Sequence, residues 1–317
     1  MAGRRHRTVY NARTLSSPAS TTEIWTTRRL LMWMAEFFTR KEVDSPRLCA
    51  ELLLAHVLGC ERLRLYMETD RPAGADELSR LRGLVERAGR HEPIQYILGE
   101  AWFFTRPFEV TPATLIPRPS TETIVEEALQ HFRSRSRLGD PLTIIDIGTG
   151  SGILAITLAA SLPAAQVIAT DVSAQALEVA RSNAQRHGVA DRIEFVQGSL
   201  FEPLAHREPP IQADLLVSNP PYVSDAQWTE VARNVRDYEP PTALRAGADG
   251  LDLLRPLIAR GHEVVRPGGM ILFEIAATQA QAVENLAAAN AALTEVRILK
   301  DHESFPRVLV AQVRSAT

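Results

Sequence analysis

The tetrapeptide Asn219-Pro220-Pro221-Tyr222, directly after a predicted strand at residues 214–217, is the segment best suited to chemistry. Its two prolines hold the backbone rigid. The Asn219 side-chain oxygen and the Pro220 carbonyl can then accept both N–H bonds of a planar –NH₂ group, which directs the nitrogen lone pair at an electrophilic carbon. Tyr222 can stack on the planar group and exclude water. The pattern predicts methyl transfer to an amide or aromatic amine, with Asn219, Pro220 and Tyr222 in the catalytic roles.

A glycine-rich loop at residues 146–152 (DIGTGSG) joins a predicted strand to a predicted helix. Glycine lets a ligand approach the backbone closely, and the first turn of the helix offers unpaired N–H groups to a carboxylate or phosphate. Ile153 stands where the dinucleotide-binding pattern G-x-G-x-x-G has its third glycine. Asp171 ends the next predicted strand, where its carboxylate can accept both hydroxyls of a ribose. These features favour S-adenosylmethionine over NAD, although a purely structural strand-to-helix turn would also use glycines.

The composition is that of a soluble globular protein, with 317 residues of which 45% are hydrophobic and 23% charged. Lys and Arg number 35 and Asp and Glu 38, and the resulting net charge of −3 provides no overall positive field for a nucleic acid. The two cysteines, Cys49 and Cys60, exclude a disulfide framework and favour a reducing compartment. The histidines follow no metal-binding spacing, so no metal site is expected. The uncharged stretch 147–170 contains Pro163 and three glycines, which disfavours a membrane span.

The chain is predicted to divide into four parts. Residues 1–22 form a basic tail without acidic residues, which is either disordered or an organelle transit peptide. Residues 23–90 carry apolar side chains at helical spacing, and we expect a small helical bundle that recognises a protein substrate. Residues 91–119, which are rich in proline and aromatic residues, are predicted to form a hairpin connector. Residues 120–317 form the catalytic domain.

Strands and helices alternate in the catalytic part, which is typical of an α/β fold with an open, mostly parallel sheet and helices on both faces. The predicted strands are 142–147, 166–170, 192–196, 214–217, 269–275, 295–299 and 308–313, and the predicted helices are 152–161, 173–187, 251–265 and 279–292. Ligands of such sheets bind at the carboxyl ends of the strands, near the point where the strand order reverses. The glycine loop and the Asn219 segment both follow strands, so we expect them to meet there.

With these motifs the sequence resembles the HemK/PrmC family, the N5-glutamine methyltransferases that modify class I peptide chain release factors. The resemblance extends through most of the chain and is not confined to the tetrapeptide. The matching segments are 45–54 (SPRLCAELLL), 92–96 (EPIQY), 114–119 (TLIPRP), 146–152, 219–222, 239–240 (EP) and 247–251 (GADGL).

The resemblance implies a Rossmann-like methyltransferase domain with a mostly parallel seven-stranded sheet, preceded by a small helical domain and a β-hairpin. The implied substrate is the glutamine of a Gly-Gly-Gln motif, and the implied methyl donor is S-adenosylmethionine, which leaves as S-adenosylhomocysteine. The residues implied to bind the cofactor are Gly148, Thr149, Gly150, Ser151, Gly152, Asp171, Leu200 and Asn219. The residues implied to bind the substrate are Asn219, Pro220, Pro221 and Tyr222.

Two positions depart from the family pattern. Ser199 stands where the family often has an acid, so adenine recognition is expected to depend on backbone or water. Ser120 stands where an Asp is common, and we expect it to cap the helix that begins near residue 121. Arg118 is expected to pair with Glu122 one turn later, or alternatively to reach the peptide substrate.

Three other functions remain open at this point. A related branch methylates a glutamine of a ribosomal protein, and an adenine amino methyltransferase acting on nucleic acid would share the tetrapeptide. The latter needs a basic cleft, against which the net charge of −3 argues. A binding module without activity is the third. We expect a cytoplasmic monomer that binds neither membrane nor nucleic acid, or an organellar protein if residues 1–22 are a transit peptide.

Overall fold

The computed structural model describes residues 24–205 and 207–315, so the predicted basic tail at residues 1–22 lies outside the described residues. A cluster of packed helices comes first, comprising α1 (Thr27–Arg40), α2 (Pro46–Leu58), α3 (Arg62–Met67), α4 (Ala75–Ala88) and α5 (Ile94–Leu98). Leu30, Met34 and Phe38 recur once per turn of α1 and are buried in this cluster, so α1 is amphipathic. α2 begins with Pro46 and ends at Leu58, and Gly59 follows with a φ of 61° that glycine adopts without strain.

A short antiparallel hairpin, β1 (Glu100–Phe103) and β2 (Arg106–Glu109), connects these helices to the rest of the chain. Phe103 and Phe108 are buried against the main core, so the hairpin is packed and not a free linker. Phe104 and Thr105 form its turn with φ values of 48° and 63°, as tight hairpin turns require. The Phe104 N–H donates to the Glu122 carboxylate at 2.8 Å, which holds this turn in place.

The predicted seven-stranded, mostly parallel sheet is confirmed, with strand order β5-β4-β3-β6-β7-β9-β8. Its strands are β3 (Thr143–Ile147), β4 (Gln166–Asp171), β5 (Ile193–Gln197), β6 (Ala213–Ser218), β7 (Val265–Glu274), β8 (Leu293–Lys300) and β9 (Pro306–Val313). Its helices are α6 (Glu122–Ser134), α7 (Ile153–Ser161), α8 (Ala174–Arg186), α9 (Arg233–Arg236), α10 (Leu254–Arg260) and α11 (Ala280–Ala288). β9 pairs antiparallel with both β7 and β8, and the other neighbouring strands of this sheet in the described chain pair parallel.

The sheet is buried on both faces, since successive residues of a strand point to opposite sides. Ile144 packs in the core that contains α6 and α7, and Ile145 packs in the core that contains α10 and α11. The chain runs from β3 outward through β4 and β5, and then returns to place β6 on the other side of β3. The strand order therefore reverses between β3 and β6, where a crevice opens at the carboxyl ends. Among the described helices, none has the length and apolar character needed to cross a membrane.

Some predicted boundaries were wrong. The helix predicted at 251–265 is shorter in the structure. α10 ends at Arg260, and a 3₁₀ turn follows from Gly261. A Cβ on Gly261 would lie only 3.0 Å from the Ile271 side chain, so the chain passes close to the sheet there. The helix predicted to end at 292 ends at Ala288. The connector at 91–119 contains the helix α5, which the hairpin prediction did not include.

Asn183 of α8 is fully buried and joins three parts of the structure. Its side-chain oxygen accepts the Glu109 N–H at 2.7 Å, and its amide group donates to the Glu109 carbonyl at 3.0 Å. The same amide group donates to the Ser151 carbonyl in the glycine loop at 2.9 Å. Asn183 therefore ties the hairpin and the glycine loop to α8.

We expect Asn183→Ala to lower the free energy of unfolding by about 2–4 kcal/mol, because it leaves buried backbone groups without partners. Chemical denaturation measures this change. Ser182→Ala is the matched control, since Ser182 lies exposed on the same helix and donates to the Glu109 carboxylate at 2.7 Å; it should change stability by less than about 0.5 kcal/mol. Equal losses in the two variants would contradict the role assigned to Asn183.

Asp146 at the end of β3 is a carboxylate with no exposed surface. One of its oxygens accepts the Thr149 hydroxyl at 2.7 Å and the Ala155 N–H at 3.1 Å, while the other has no partner. Burial raises the pKa of Asp146 to about 7, and the two hydrogen bonds oppose this rise. Asp146 therefore connects the glycine loop to the first turn of α7.

Because the folded pKa of Asp146 is about 7 and the ordinary value is 3.8, the folded state binds a proton that the unfolded state has already lost. Its contribution to stability is thus present at low pH and is lost as pH rises from about 4 to about 7. Asp146→Asn cannot ionise, so its stability relative to the wild type should increase across this window and level off above it. Urea denaturation at several pH values measures the difference, and a difference independent of pH would contradict the prediction.

Candidate active site

The glycine loop leaves β3 and turns back over the end of β4. The N–H groups of Gly148 and Thr149 both donate to the Thr170 carbonyl, at 2.8 and 2.9 Å. Gly148 and Gly150 have φ values of 74° and 57°, and a Cβ on either would meet open space. A Cβ on Gly152 would instead lie 2.7 Å from the Ile156 side chain. The first two glycines thus leave room for a ligand, whereas Gly152 serves helix packing.

Asp171 lies beside this loop at the end of β4 and also lines the crevice. Its two carboxylate oxygens accept the N–H groups of Gly150 and Ser173, each at 2.9 Å. Burial raises the pKa of Asp171, and these backbone hydrogen bonds oppose the rise. Each carboxylate oxygen has a second lone-pair direction. The geometry therefore fits a ribose diol, which the sequence predicted for this residue.

The segment after β6 starts beside the glycine loop because the Ser218 hydroxyl donates to the Ile147 carbonyl at 2.7 Å. Asn219, Pro220 and Pro221 follow and line the crevice. Tyr222 lies partly buried behind this wall, and burial raises the pKa of its hydroxyl to about 12. Its ring therefore remains neutral at physiological pH.

A second loop supports the tetrapeptide from behind. The Gln279 amide group donates to the Tyr222 carbonyl and to the Asp249 carbonyl, both at 3.1 Å. Gly250 has a φ of 76°, and a Cβ there would lie 2.3 Å from the Tyr222 carbonyl oxygen. Residues 247–251, one of the segments in the family resemblance, thus hold the tetrapeptide backbone.

The Asn219 side chain is held by residues far away in the sequence. Its amide nitrogen donates to the Thr121 hydroxyl oxygen at 3.0 Å. The Thr121 hydroxyl in turn donates to the Glu274 carboxylate at 2.5 Å. No described residue hydrogen-bonds the Asn219 side-chain oxygen, which leaves this acceptor free to meet a ligand.

The crevice is a groove with about 1110 Å³ of space between and in front of its walls, part of which is open to solvent. Besides the predicted residues, its walls are formed by the segment before α6, the start of α8, the loop after α9, and α10. The added residues are 113–118, Ile147, Ile153, Leu154, Val172, Ser173, Ala176, Gly198, Ser199, Ser218, Pro240, Thr242, Ala243, Leu253 and Leu257. Among the described residues that line the crevice, Arg118 and Asp171 are the two whose side chains can ionise.

The predicted pairing of Arg118 with Glu122 was wrong. Arg118 pairs with Glu239 at 2.6 Å, and the Ile116 N–H donates to the same carboxylate at 3.0 Å. Glu239 is almost fully buried, and it belongs to the matching segment 239–240. The Glu122 carboxylate instead accepts the Phe104 N–H at the hairpin turn. Glu239 thus fixes the crevice wall on which Arg118 lies.

The predicted cap at Ser120 was also wrong. Ser120 lies inside a 3₁₀ turn, Pro119–Thr121, and Thr121 precedes α6. The Ser120 hydroxyl donates to the buried Glu274 carboxylate at 3.2 Å. The hydroxyl therefore satisfies a distant buried acid instead of the helix N-terminus.

The loop after β5 forms the wall beyond Asp171. Leu200 has a φ of 47° and lies on this wall next to Ser199. The Ser199 N–H donates to Glu202 at 3.3 Å, so an acid three positions later reaches back to this loop. The Glu202 N–H also donates to the Ser199 carbonyl at 3.0 Å, so the backbone of Ser199 is engaged within its own loop.

The structure brings together all predicted site residues except Gly152 and Tyr222, which lie outside the wall. Sequence reasoning missed Val172, which is 54% exposed and lines the crevice beside Asp171. It also missed Thr121 and Glu274, which are 153 positions apart and carry no local signal. An exposed apolar residue after a strand-ending acid was the available signal for Val172.

Comparison with protein families gives two matches along the chain. The PrmC N-terminal domain matches residues 29–99, and the methyltransferase small domain matches residues 128–236. Among solved structures, the hMettl16 catalytic domain in complex with the MAT2A 3′UTR hairpin 6 shares 14% identity, with a TM-score of 0.50 over 78% of this chain and 86% of that chain. This likeness concerns the fold alone.

Closer relatives match over nearly their whole length. The release factor glutamine methyltransferase of Chlorobaculum tepidum is 41% identical over 90% of this chain and 97% of its own. That of Geobacter sulfurreducens is 43% identical over 82% and 88%, respectively. That of Bacillus subtilis is 36% identical over 89% and 96%. With this similarity and a crevice that joins the glycine loop to the Asn219 segment, the chain belongs to the release factor glutamine methyltransferase family.

Proposed function

We propose that this protein transfers a methyl group from S-adenosylmethionine to the side-chain amide nitrogen (N5) of the glutamine in the Gly-Gly-Gln motif of class I peptide chain release factors. The observation that carries the proposal is the position of Asn219, Pro220 and Pro221 on the wall that also holds Gly148 and Gly150. A cofactor and a carboxamide can thus meet in one crevice.

The tetrapeptide activates a nitrogen that is otherwise a poor nucleophile. The lone pair of an amide is delocalised into its carbonyl, and it must be withdrawn from that π system to attack. The Asn219 side-chain oxygen and the Pro220 carbonyl accept the two N–H bonds, which holds the lone pair toward the methyl carbon. Tyr222 lies behind this wall, and its carbonyl accepts from Gln279, which helps to hold the tetrapeptide in place.

Cofactor binding is assigned to the glycine loop and to the ends of β4 and β5 beside it. S-adenosylmethionine supplies an electrophilic methyl group on a sulfonium that leaves as the neutral thioether S-adenosylhomocysteine. Gly148 to Ser151 admit its amino-acid end, with Gly152 as a packing residue, and Asp171 holds its ribose. Leu200 and Ser199 lie where its adenine would be placed.

No side chain is needed as a general base. The methylated nitrogen is strongly acidic until it loses its proton, so water can accept that proton after transfer. Of the two ionisable wall residues named above, Arg118 is a cation paired with Glu239, and Asp171 is engaged by backbone N–H groups. This electrostatic arrangement agrees with a reaction that needs orientation more than proton transfer.

The finer assignments follow the same proposal. The helices between residues 23 and 90 recognise the release factor, the segment 91–119 connects them, and residues 120–317 carry out the transfer. The protein acts as a cytoplasmic monomer without direct nucleic-acid contact. Exposed apolar residues on α2 and α3, namely Leu48, Leu63, Tyr66 and Met67, offer the helical part a contact surface.

The test is incubation with labelled S-adenosylmethionine and separate samples of a class I release factor, ribosomal proteins and adenine-containing nucleic acid. Mass spectrometry of tryptic peptides then locates the modified residue. We expect label on the Gly-Gly-Gln glutamine of the release factor. Label confined to a ribosomal protein or to adenine would overturn the proposal.

Asn219→Ala should lower kcat by roughly 10²–10³-fold, because it removes one preorganised acceptor of the reacting amide. The affinity for S-adenosylhomocysteine should fall by a much smaller factor than kcat. Steady-state kinetics with the release factor and calorimetry measure the two effects. Asn285→Ala, at an exposed asparagine on α11, is the matched control and should retain wild-type turnover. Equal turnover of Asn219→Ala and wild type would refute the role of Asn219.

Asp171→Ala should weaken binding of S-adenosylhomocysteine by about 1–3 kcal/mol, or roughly 5- to 150-fold, through loss of charge-assisted hydrogen bonds to the ribose. Isothermal titration calorimetry measures the affinity, and thermal denaturation without ligand reports any separate loss of stability. Asp191→Ala, at an exposed acid after α8, is expected to bind like the wild type. Unchanged affinity in Asp171→Ala would exclude Asp171 from the ribose site.

A further inference from the structure

A chain of three polar side chains runs from the crevice into the interior, from Asn219 through Thr121 to Glu274. The Asn219 amide nitrogen lies 3.0 Å from the Thr121 hydroxyl oxygen, which lies 2.5 Å from a Glu274 carboxylate oxygen. Thr121 and Glu274 have no exposed surface, and Asn219 is partly exposed at the crevice. Neither Thr121 nor Glu274 lines the crevice, so any effect they have on a ligand acts through Asn219.

The direction of each hydrogen bond in this chain follows from counting protons. When Glu274 is ionised, the state that the nearby Arg307 and Arg118 favour, it can only accept, and it accepts from both Thr121 and Ser120. Burial raises the pKa of Glu274, while these two hydroxyls and the positive charges of Arg307 and Arg118 oppose the rise. The Thr121 hydroxyl has one proton and gives it to Glu274. Toward Asn219 it can therefore only accept.

This restriction decides which end of the Asn219 amide enters the crevice. If the amide were rotated by half a turn, its oxygen would face the Thr121 oxygen at about the same distance, with lone pairs opposed and one hydrogen bond lost. The observed orientation keeps the nitrogen on Thr121 and leaves the oxygen for a ligand. The buried Thr121 and Glu274 thus determine that Asn219 presents an acceptor, and not a donor, to the crevice.

We propose that Thr121 and Glu274 are positioning residues that hold the Asn219 side-chain oxygen toward the substrate, and so make the site select a carboxamide over a carboxylate. This inference rests on the proposed function. A glutamine –NH₂ group needs an acceptor from Asn219, whereas a glutamate carboxylate would be repelled by the Asn219 oxygen. With the amide rotated, Asn219 would donate to glutamate and would no longer accept from glutamine.

Thr121→Val tests the proposal because valine keeps the shape of threonine and removes only the hydroxyl. We expect kcat for the release factor to fall roughly 10–100-fold, as for loss of one preorganised contact, with affinity for S-adenosylhomocysteine unchanged within about twofold. A release factor carrying Glu in place of the target Gln should bind the variant at least about fivefold more tightly than it binds the wild type. Thr121→Ser retains the hydroxyl and should restore turnover and discrimination.

Ser120→Ala is the matched control, since it removes the other hydroxyl on Glu274 but no contact to Asn219. Its turnover and its preference for Gln over Glu should stay within about twofold of the wild type. Thermal denaturation compares the stability of the variants, and Thr121→Ala, which also lacks the hydroxyl, replaces the valine variant should the latter not fold.

Wild-type kcat in Thr121→Val, unchanged Gln/Glu discrimination, or equal effects of Thr121→Val and Ser120→Ala would overturn the positioning role. Absence of glutamine methylation by the wild type would instead refute the proposed function. The binding comparison of the Gln and Glu factors needs no turnover, so it reports on the orientation of Asn219 separately from the methyl-transfer step.

Discussion

The adjacency of β3 and β6 is the constraint on which the crevice depends. The two strands are parallel neighbours with Ile147 opposite Ser218, and the Ser218 hydroxyl donates to the Ile147 carbonyl at their ends. Since paired strands lie only about 4.8 Å apart, the glycine loop after β3 and Asn219 after β6 must emerge side by side. Any strand inserted between them would separate the residues assigned to cofactor and substrate.

Buried carboxylates hold the loops around this crevice. Asp146 binds the glycine loop to α7, Glu239 binds Arg118 and the Ile116 backbone, and Glu274 binds the turn before α6. Burying a carboxylate is costly unless hydrogen bonds replace the lost water. Here the replacement donors are backbone N–H groups and hydroxyls of the loops themselves, so each loop has one favoured position. Such rigidity suits a transfer that depends on orienting a weak nucleophile.

Much of the site could be predicted from local sequence. The glycine loop, Asp171 and the Asn219 segment each lie within a few residues of a strand end, where spacing and backbone rules apply. The interactions of Arg118 and Ser120 could not, because their true partners are 121 and 154 positions away. A local rule considers only partners one helical turn away, and it therefore assigned Arg118 to Glu122 and Ser120 to a helix cap. Helix α10 was overestimated for a similar reason, since the local periodicity does not show that the chain passes close to the sheet at Gly261.

By itself, the sequence determined the order of the strands and helices. It also determined which residues form the two loops that carry the chemistry. Both depend on periodicity and on the backbone preferences of Gly and Pro. Only the tertiary structure decided that Gly152 packs against α7 while Gly148 and Gly150 face open space. It alone decided that Thr121 and Glu274 support Asn219. The physical reason is that hydrogen-bond partners are chosen by distance in space, and strand pairing brings together residues whose separation along the chain carries no signal.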